Sequence, residues 1–195
     1  MRRVIGTPAR PAADKVIDRI DDHARAFIAL SPFVLVASSD GAGGLDISPK
    51  GDPAGFAQVL DAHTVAVPER PGNRRADTYR NVLCEPAVAL LFLIPGKPET
   101  LRVGGRGTIV RDAWLRERMA VQGQVPELAL VVTLREVFFH CARCALRSGI
   151  WHSERWPVAT GLAPHAQCIV DHARLGASVG EVQASLDRSY RDHLY

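Results

Sequence analysis

The chain has 195 residues, 47% of them hydrophobic and 23% charged, which suits a globular core and excludes a disordered or fibrous protein. A net charge of +3 is far below what a phosphate-tracking nucleic-acid binder carries, and the few aromatics do not interleave with the basic residues, so no nucleic acid is expected as partner. The longest apolar run, Ala87 to Pro95, is far short of the roughly 18–20 residues of a transmembrane helix, and no apolar stretch follows the basic start MRRVIGTPAR. No membrane partner and a cytoplasmic address are the expectations. Four cysteines in that setting point to free thiols or metal before disulfides.

In chain order, residues 12–30 place Val16, Ile17, Ile20, Ala24, Phe27 and Ile28 at helical spacing and predict an amphipathic helix that Ser31-Pro32 ends. Phe33 to Ser38 reads as a buried strand. DGAGG then turns the chain into a second strand, Leu45 to Ser48, to make a hairpin. Thr64 to Val67 is a third short strand, and PERPGN after it can be neither helix interior nor central strand. A short helix is predicted from Arg74 to Cys84, with Asn73 as its N-cap. Ala87 to Ile94 predicts a strand buried on both faces, Thr100 to Val110 a long strand, and Leu128 to Phe139 another, with a helix of about two turns after Asp112. HCARCALRSGIW predicts a short helix leading to an exposed corner, and residues 177–191 a final helix. About six hairpin-linked strands broken by short helices make the expected fold mostly β with flanking helices, an antiparallel barrel-like sheet. The whole chain, 1–195, is expected to be one domain: N-terminal helix about 12–30, barrel about 33–156, helical tail about 165–195.

Four segments carry candidate chemistry. At the end of the second strand, Ser48-Pro49-Lys50-Gly51 offers a rigid turn, a compact cation and a glycine that lets backbone approach a ligand; a plain strand-to-loop turn is the alternative. Arg70, Arg74 and Arg75 gather guanidinium forks around Asn73 at a helix start, a pattern suited to phosphate and equally to structural ion pairs. Arg102-Val103-Gly104-Gly105-Arg106-Gly107 interrupts a strand with three glycines, which mark either a bulge or close approach of a flat ligand. Cys141-x2-Cys144 followed by His165-x2-Cys168 has a spacing that zinc can use, but the segment between lacks the tight turn of a zinc knuckle. No metal is expected, and no nucleophile elbow or Walker loop is present, so the catalytic residues stay unknown.

Taken together, DISPKGDPAGF, VAVPERPGNRRADTYRNVLCEPAVALLFLIPG, ETLRVGGRGTIVRD and VFFHCARCALRSGIW resemble one group of the pyridoxamine 5'-phosphate oxidase-like flavoproteins, in the same order over residues 27–156. The resemblance implies an FMN-binding split β-barrel and a homodimer with two FMN sites at the subunit interface. It implies that Arg70, Asn73, Arg74 and Arg75 hold the FMN phosphate, and that Ser48, Pro49, Lys50 and Gly51 flank the isoalloxazine ring. Val67 would offer backbone contacts, while Arg147, Ser148 and Trp151 would reach the flavin from the second subunit. The implied function is an FMN-dependent oxidoreductase acting on a small-molecule substrate or electron donor; a flavin or deazaflavin carrier or sensor without turnover is the alternative. The sequence departs from the group at Gly104-Gly105, where a bulkier polar residue is usual, and at Cys144, where a small inert one is.

Overall fold

The computed structural model describes residues 1–195. Two short helices, α1 (Arg2–Ile5) and α2 (Arg10–Asp14), precede α3 (Asp22–Leu30). The single helix expected over 12–30 is therefore split. Ile17 leaves the helical path to exchange both backbone hydrogen bonds with Val137, a tertiary contact that no local periodicity reports. Asp21 then restarts the helix, its carboxylate accepting from the Ala24 N–H at 2.8 Å. Ala24, Phe27 and Ile28 are buried on the barrel. Asp21→Ala is expected to cost about 1 kcal/mol of stability, read as a drop of roughly 2–4 °C in melting temperature.

Seven strands follow: β1 (Phe33–Ser39), β2 (Leu45–Gly51), β3 (Gln58–Val59), β4 (Thr64–Pro68), β5 (Ala87–Leu93), β6 (Thr100–Val110) and β7 (Ala129–His140). They form one sheet in the order β2-β1-β5-β6-β7-β4-β3, with every pairing antiparallel. Across the inner face, Val36, Leu90, Val103 and Val137 stand in register from β1 to β7, all at most 1% exposed. Helix α3 packs on this core, with Phe27 edge-on to Phe139. The arrangement is a split barrel with flanking helices, as expected from the hairpin-linked strands.

Three strand expectations change. β2 runs on through Pro49, Lys50 and Gly51, pairing them with Leu35, Val34 and Phe33, instead of turning after Ser48. A proline fits because β2 is the edge strand and is laddered on one side only. β5 buries one face, Val88, Leu90 and Phe92, while Ala89 and Leu91 on the other remain half-buried. The two-residue β3 carries no sequence signal. In β6 the register slips at Gly104/Gly105, so the three glycines mark a bulge. A Cβ on Gly105 would collide with the Thr133 carbonyl, and one on Gly104 with the Glu136 side chain.

Helix α4 (Asp77–Cys84) crosses between β4 and β5, and α5 (Ala113–Arg118) between β6 and β7. Leu115 and Met119 form a small second core with Ala66 and Ala129. After β7 come α6 (Arg143–Ser148), α7 (His165–Ala173) and α8 (Val179–Asp192), the last begun by a capping box between Ser178 and Glu181. No helix is long and apolar enough to cross a membrane.

Candidate functional site

The edge strand β2 and the end of β4 lie on opposite sides of the split, and half-buried charge joins them. Lys50 Nζ meets Glu69 at 2.6 Å, and Arg70 Nε meets Asp52 at 2.6 Å. Arg70 also donates through Nη2 to the Met119 carbonyl at 2.6 Å, which ties the α5 segment to the same seam. Lys50 lies over the ring of Tyr79 at 5.5 Å. Burial first, then the neighbouring Glu69 carboxylate, pushes the Tyr79 phenol far above its ordinary range, so it stays protonated.

Beside this seam opens a cleft of about 1010 Å³, lined by residues 46–52 of the edge strand and by 68–79, with Gln124–Glu127 and Leu194–Tyr195 completing the wall. That volume suits a ligand of cofactor size. On one side, α4 is fixed by Thr78 Oγ1, which donates to Asp46 at 2.8 Å, and by Asn81 Nδ2, which donates to Ser38 Oγ at 3.0 Å. Helix α4 begins at Asp77, three residues later than the sequence predicts. Arg74 and Ala76 adopt φ of 60° and 56°, which breaks the helical path. Asn73 is therefore not the N-cap; its Oδ1 accepts from the Arg75 N–H at 3.0 Å and folds the loop back on itself. The position before the helix is Ala76, which has no capping side chain, so the first-turn N–H groups of α4 are left for another acceptor.

Of the residues expected at a cofactor site, Ser48, Pro49, Lys50, Gly51, Arg70, Asn73, Arg74 and Arg75 meet in this cleft. Their availability differs. Arg75 is exposed and paired with Asp77 at 2.7 Å, whose hydrogen bond and charge hold the guanidinium above its ordinary pKa. Arg70, by contrast, spends two donors inside the protein. Val67 is buried in β4, paired with Leu130, and does not line the cleft. Arg147, Ser148 and Trp151 lie beyond the far end of β7. None of the three is among the residues that line the cleft. Arg102 sits outside the cleft as well, paired with Glu136 at 3.1 Å. Cys141 and Cys144 are exposed and Cys168 is half-buried on α7; no three metal-binding side chains converge.

Asp52, Glu69, Tyr79, Leu194 and Tyr195 carry no signal of a role in the sequence. The first two stand within the quoted motifs, but nothing local shows that they face each other's cations across the split. Tyr195 lies 5.6 Å from the Arg70 guanidinium, ring centroid to Cζ. Burial first, then the Asp52 carboxylate, raises its phenol above the ordinary value.

The family model described as pyridoxamine 5'-phosphate oxidase matches residues 20–141, more than half of the chain. The chain belongs to the pyridoxamine 5'-phosphate oxidase family. A solved structure supports the fold. HupZ of Group A Streptococcus is 18% identical with a TM-score of 0.50, over 62% of this chain and 93% of that one. A candidate pyridoxamine 5'-phosphate oxidase of Lactobacillus delbrueckii is 18% identical with a TM-score of 0.47, over 63% and 99%. No curated protein is matched by the sequence. Within the pyridoxamine 5'-phosphate oxidase family match fall β1 to β7 and the whole β2–α4 side of the cleft; α6, Arg147, Ser148 and Trp151 fall outside it.

Proposed function

We propose that this chain binds FMN in the cleft and works as an FMN-dependent oxidoreductase, as a homodimer whose two copies share their sites. The observation that carries this reading is the meeting, in one cleft, of the Ser48–Gly51 edge with the Asn73–Arg75 loop at the uncapped start of α4. Guanidinium forks, free backbone N–H groups and the positive end of a helix are the donors that a phosphate monoester requires. Arg74, Arg75 and Asn73 would hold that phosphate, and Arg70, tied to Asp52, would brace the wall between them and the edge strand. The edge strand with Ser48, Pro49, Lys50 and Gly51 would flank the ring system. When bound, the flavin supplies hydride or electron transfer, and the protein supplies binding and electrostatics.

Two features support a shared site. On the outer face of the sheet, Pro49, Leu35 and Leu91 form one register row and Ile47, Ala37 and Ala89 the next, and Ile47 is 66% exposed. This apolar surface borders the cleft and suits burial against a second copy. Arg147, Ser148 and Trp151, which do not line their own cleft, would then enter the other copy's. Lys50 is already paired with Glu69, so Arg147 of the partner subunit is the better free cation for a reduced, anionic ring.

The purified chain is expected to be yellow, to release a species of FMN mass on heating, and to sediment as a dimer. Arg75→Ala is expected to raise the FMN dissociation constant roughly ten- to hundredfold through loss of a charge-assisted phosphate contact, measured by flavin fluorescence titration. Full flavin retention by that variant through dialysis would remove Arg75 from the site. Turnover of a reduced nicotinamide by the yellow protein separates the oxidoreductase from the carrier, which would hold flavin or deazaflavin without turnover.

A further inference from the structure

Residues 142–195 lie outside the stretch that the family model matches, yet Leu194 and Tyr195 return to the cleft and form part of its wall. The route back is an arm of two helices. α7 and α8 pack on each other, with Ile169, Leu175, Val182 and Leu186 along one groove, and neither packs extensively on any strand. At the cleft the arm is held through Tyr195, whose ring lies against the Arg70 guanidinium 5.6 Å away. An aromatic face on a guanidinium that is itself tied to Asp52 and to the Met119 carbonyl is a defined seat.

The rest of the cleft explains what such a seat is for. Most of its lining is charged, polar, glycine or proline. Phe56 and Tyr79 are buried beneath the surface, at 6% and 7% exposure. The larger apolar side chains that still present surface are Ile47, Val125, Leu194 and the ring of Tyr195, and the arm supplies two of these four. A ligand with an anionic end and a flat ring needs apolar surface for the ring as well as donors for the anion.

We infer that Tyr195, with Leu194 beside it, is a binding residue for the ring end of the cleft's ligand, and that the α7–α8 arm is an element of the site. The inference rests on the flavin reading above and adds to it a contact from outside the shared family core. Tyr195 thus acts on how long the ring stays, while Asn73–Arg75 act on the phosphate.

The test uses the full-length chain with Tyr195→Ala and Tyr195→Phe, FMN as probe, and inorganic phosphate as a competitor. Binding is followed by flavin fluorescence, release by dilution, and integrity by thermal unfolding of the flavin-free protein. Tyr195→Ala is expected to weaken FMN binding about tenfold or more, almost wholly through faster release, with competition by phosphate unchanged. Tyr195→Phe keeps the ring and is expected to stay within about threefold of the parent. FMN affinity and release equal to the parent's in Tyr195→Ala would overturn the inference. Equal weakening toward FMN and phosphate would overturn it too, since that marks a general collapse of the cleft. If the unsubstituted chain itself takes up no FMN, the flavin reading fails and this inference with it, an outcome visible before any variant is made.

Discussion

Arg70→Ala is expected to destabilise the fold by about 3–5 kcal/mol, the largest effect of any single substitution at the cleft. The reason is what it leaves behind. The Asp52 side chain is 2% exposed, and Arg70 Nε at 2.6 Å is the cation that meets its carboxylate. Truncation strands a buried negative charge and also removes the donor on the Met119 carbonyl. Denaturant unfolding should show the midpoint falling sharply. The double variant Asp52→Leu/Arg70→Met is expected to recover most of the loss, because it removes the charge together with its partner. A loss below about 1 kcal/mol for Arg70→Ala would mean that the pair behaves as a solvated surface bridge. Since β2 and β4 are not laddered to one another, this pair and Lys50–Glu69 serve where backbone hydrogen bonds would close a complete barrel.

Gly105→Ala is expected to cost about 3 kcal/mol, seen as a fall of roughly 6–12 °C in melting temperature. A methyl there would meet the Thr133 carbonyl, with Val132 Cγ1 at 3.0 Å behind it. Backbone on a laddered neighbour cannot swing aside as a side chain can, so β6 and β7 would have to separate at the bulge. Gly104→Ala is the natural control. Its obstruction is the flexible Glu136 side chain, so its loss should be clearly smaller. Equal melting temperatures for the two variants would mean that the bulge absorbs a methyl at either position. Both glycines stand at the β6 bulge, outside the residues that line the cleft.

Much of this architecture was legible in the sequence. β1, β5, β6 and β7 announce themselves through apolar patterning bounded by turn residues, and they carry the core. What local pattern cannot report is a residue's tertiary partner. Ile17 fits a helical face as well as it fits the bridge to Val137, so the split of the first helix was invisible. Pro49 reads as a turn until β2 is known to be an edge strand. Arg74 and Ala76 give no hint of positive φ, because neither is glycine. At the cleft, the Ser48–Gly51 and Asn73–Arg75 segments were legible as motifs, since rigid loops and clustered guanidinium groups are local properties. Whether an arginine faces a ligand or a carboxylate of its own chain is not local. Arg70 and Arg75 look alike in sequence, yet one is committed to Asp52 and the other stands exposed beside Asp77. Tyr195 is less legible still, because its place depends on the path of two helices.

Pro49 has one more consequence. A free sheet edge usually invites another strand to add to it, through the row of unused backbone donors and acceptors. On β2 that row runs along the cleft, but at Pro49 it lacks a donor, and the flanking side chains of Lys50 and Asp46 are held against Glu69 and Thr78. An extended peptide laid there would find its hydrogen-bond ladder interrupted midway. The same edge that opens the cleft to a compact ligand therefore resists β-augmentation, and with it the edge-to-edge aggregation to which an open barrel is otherwise exposed.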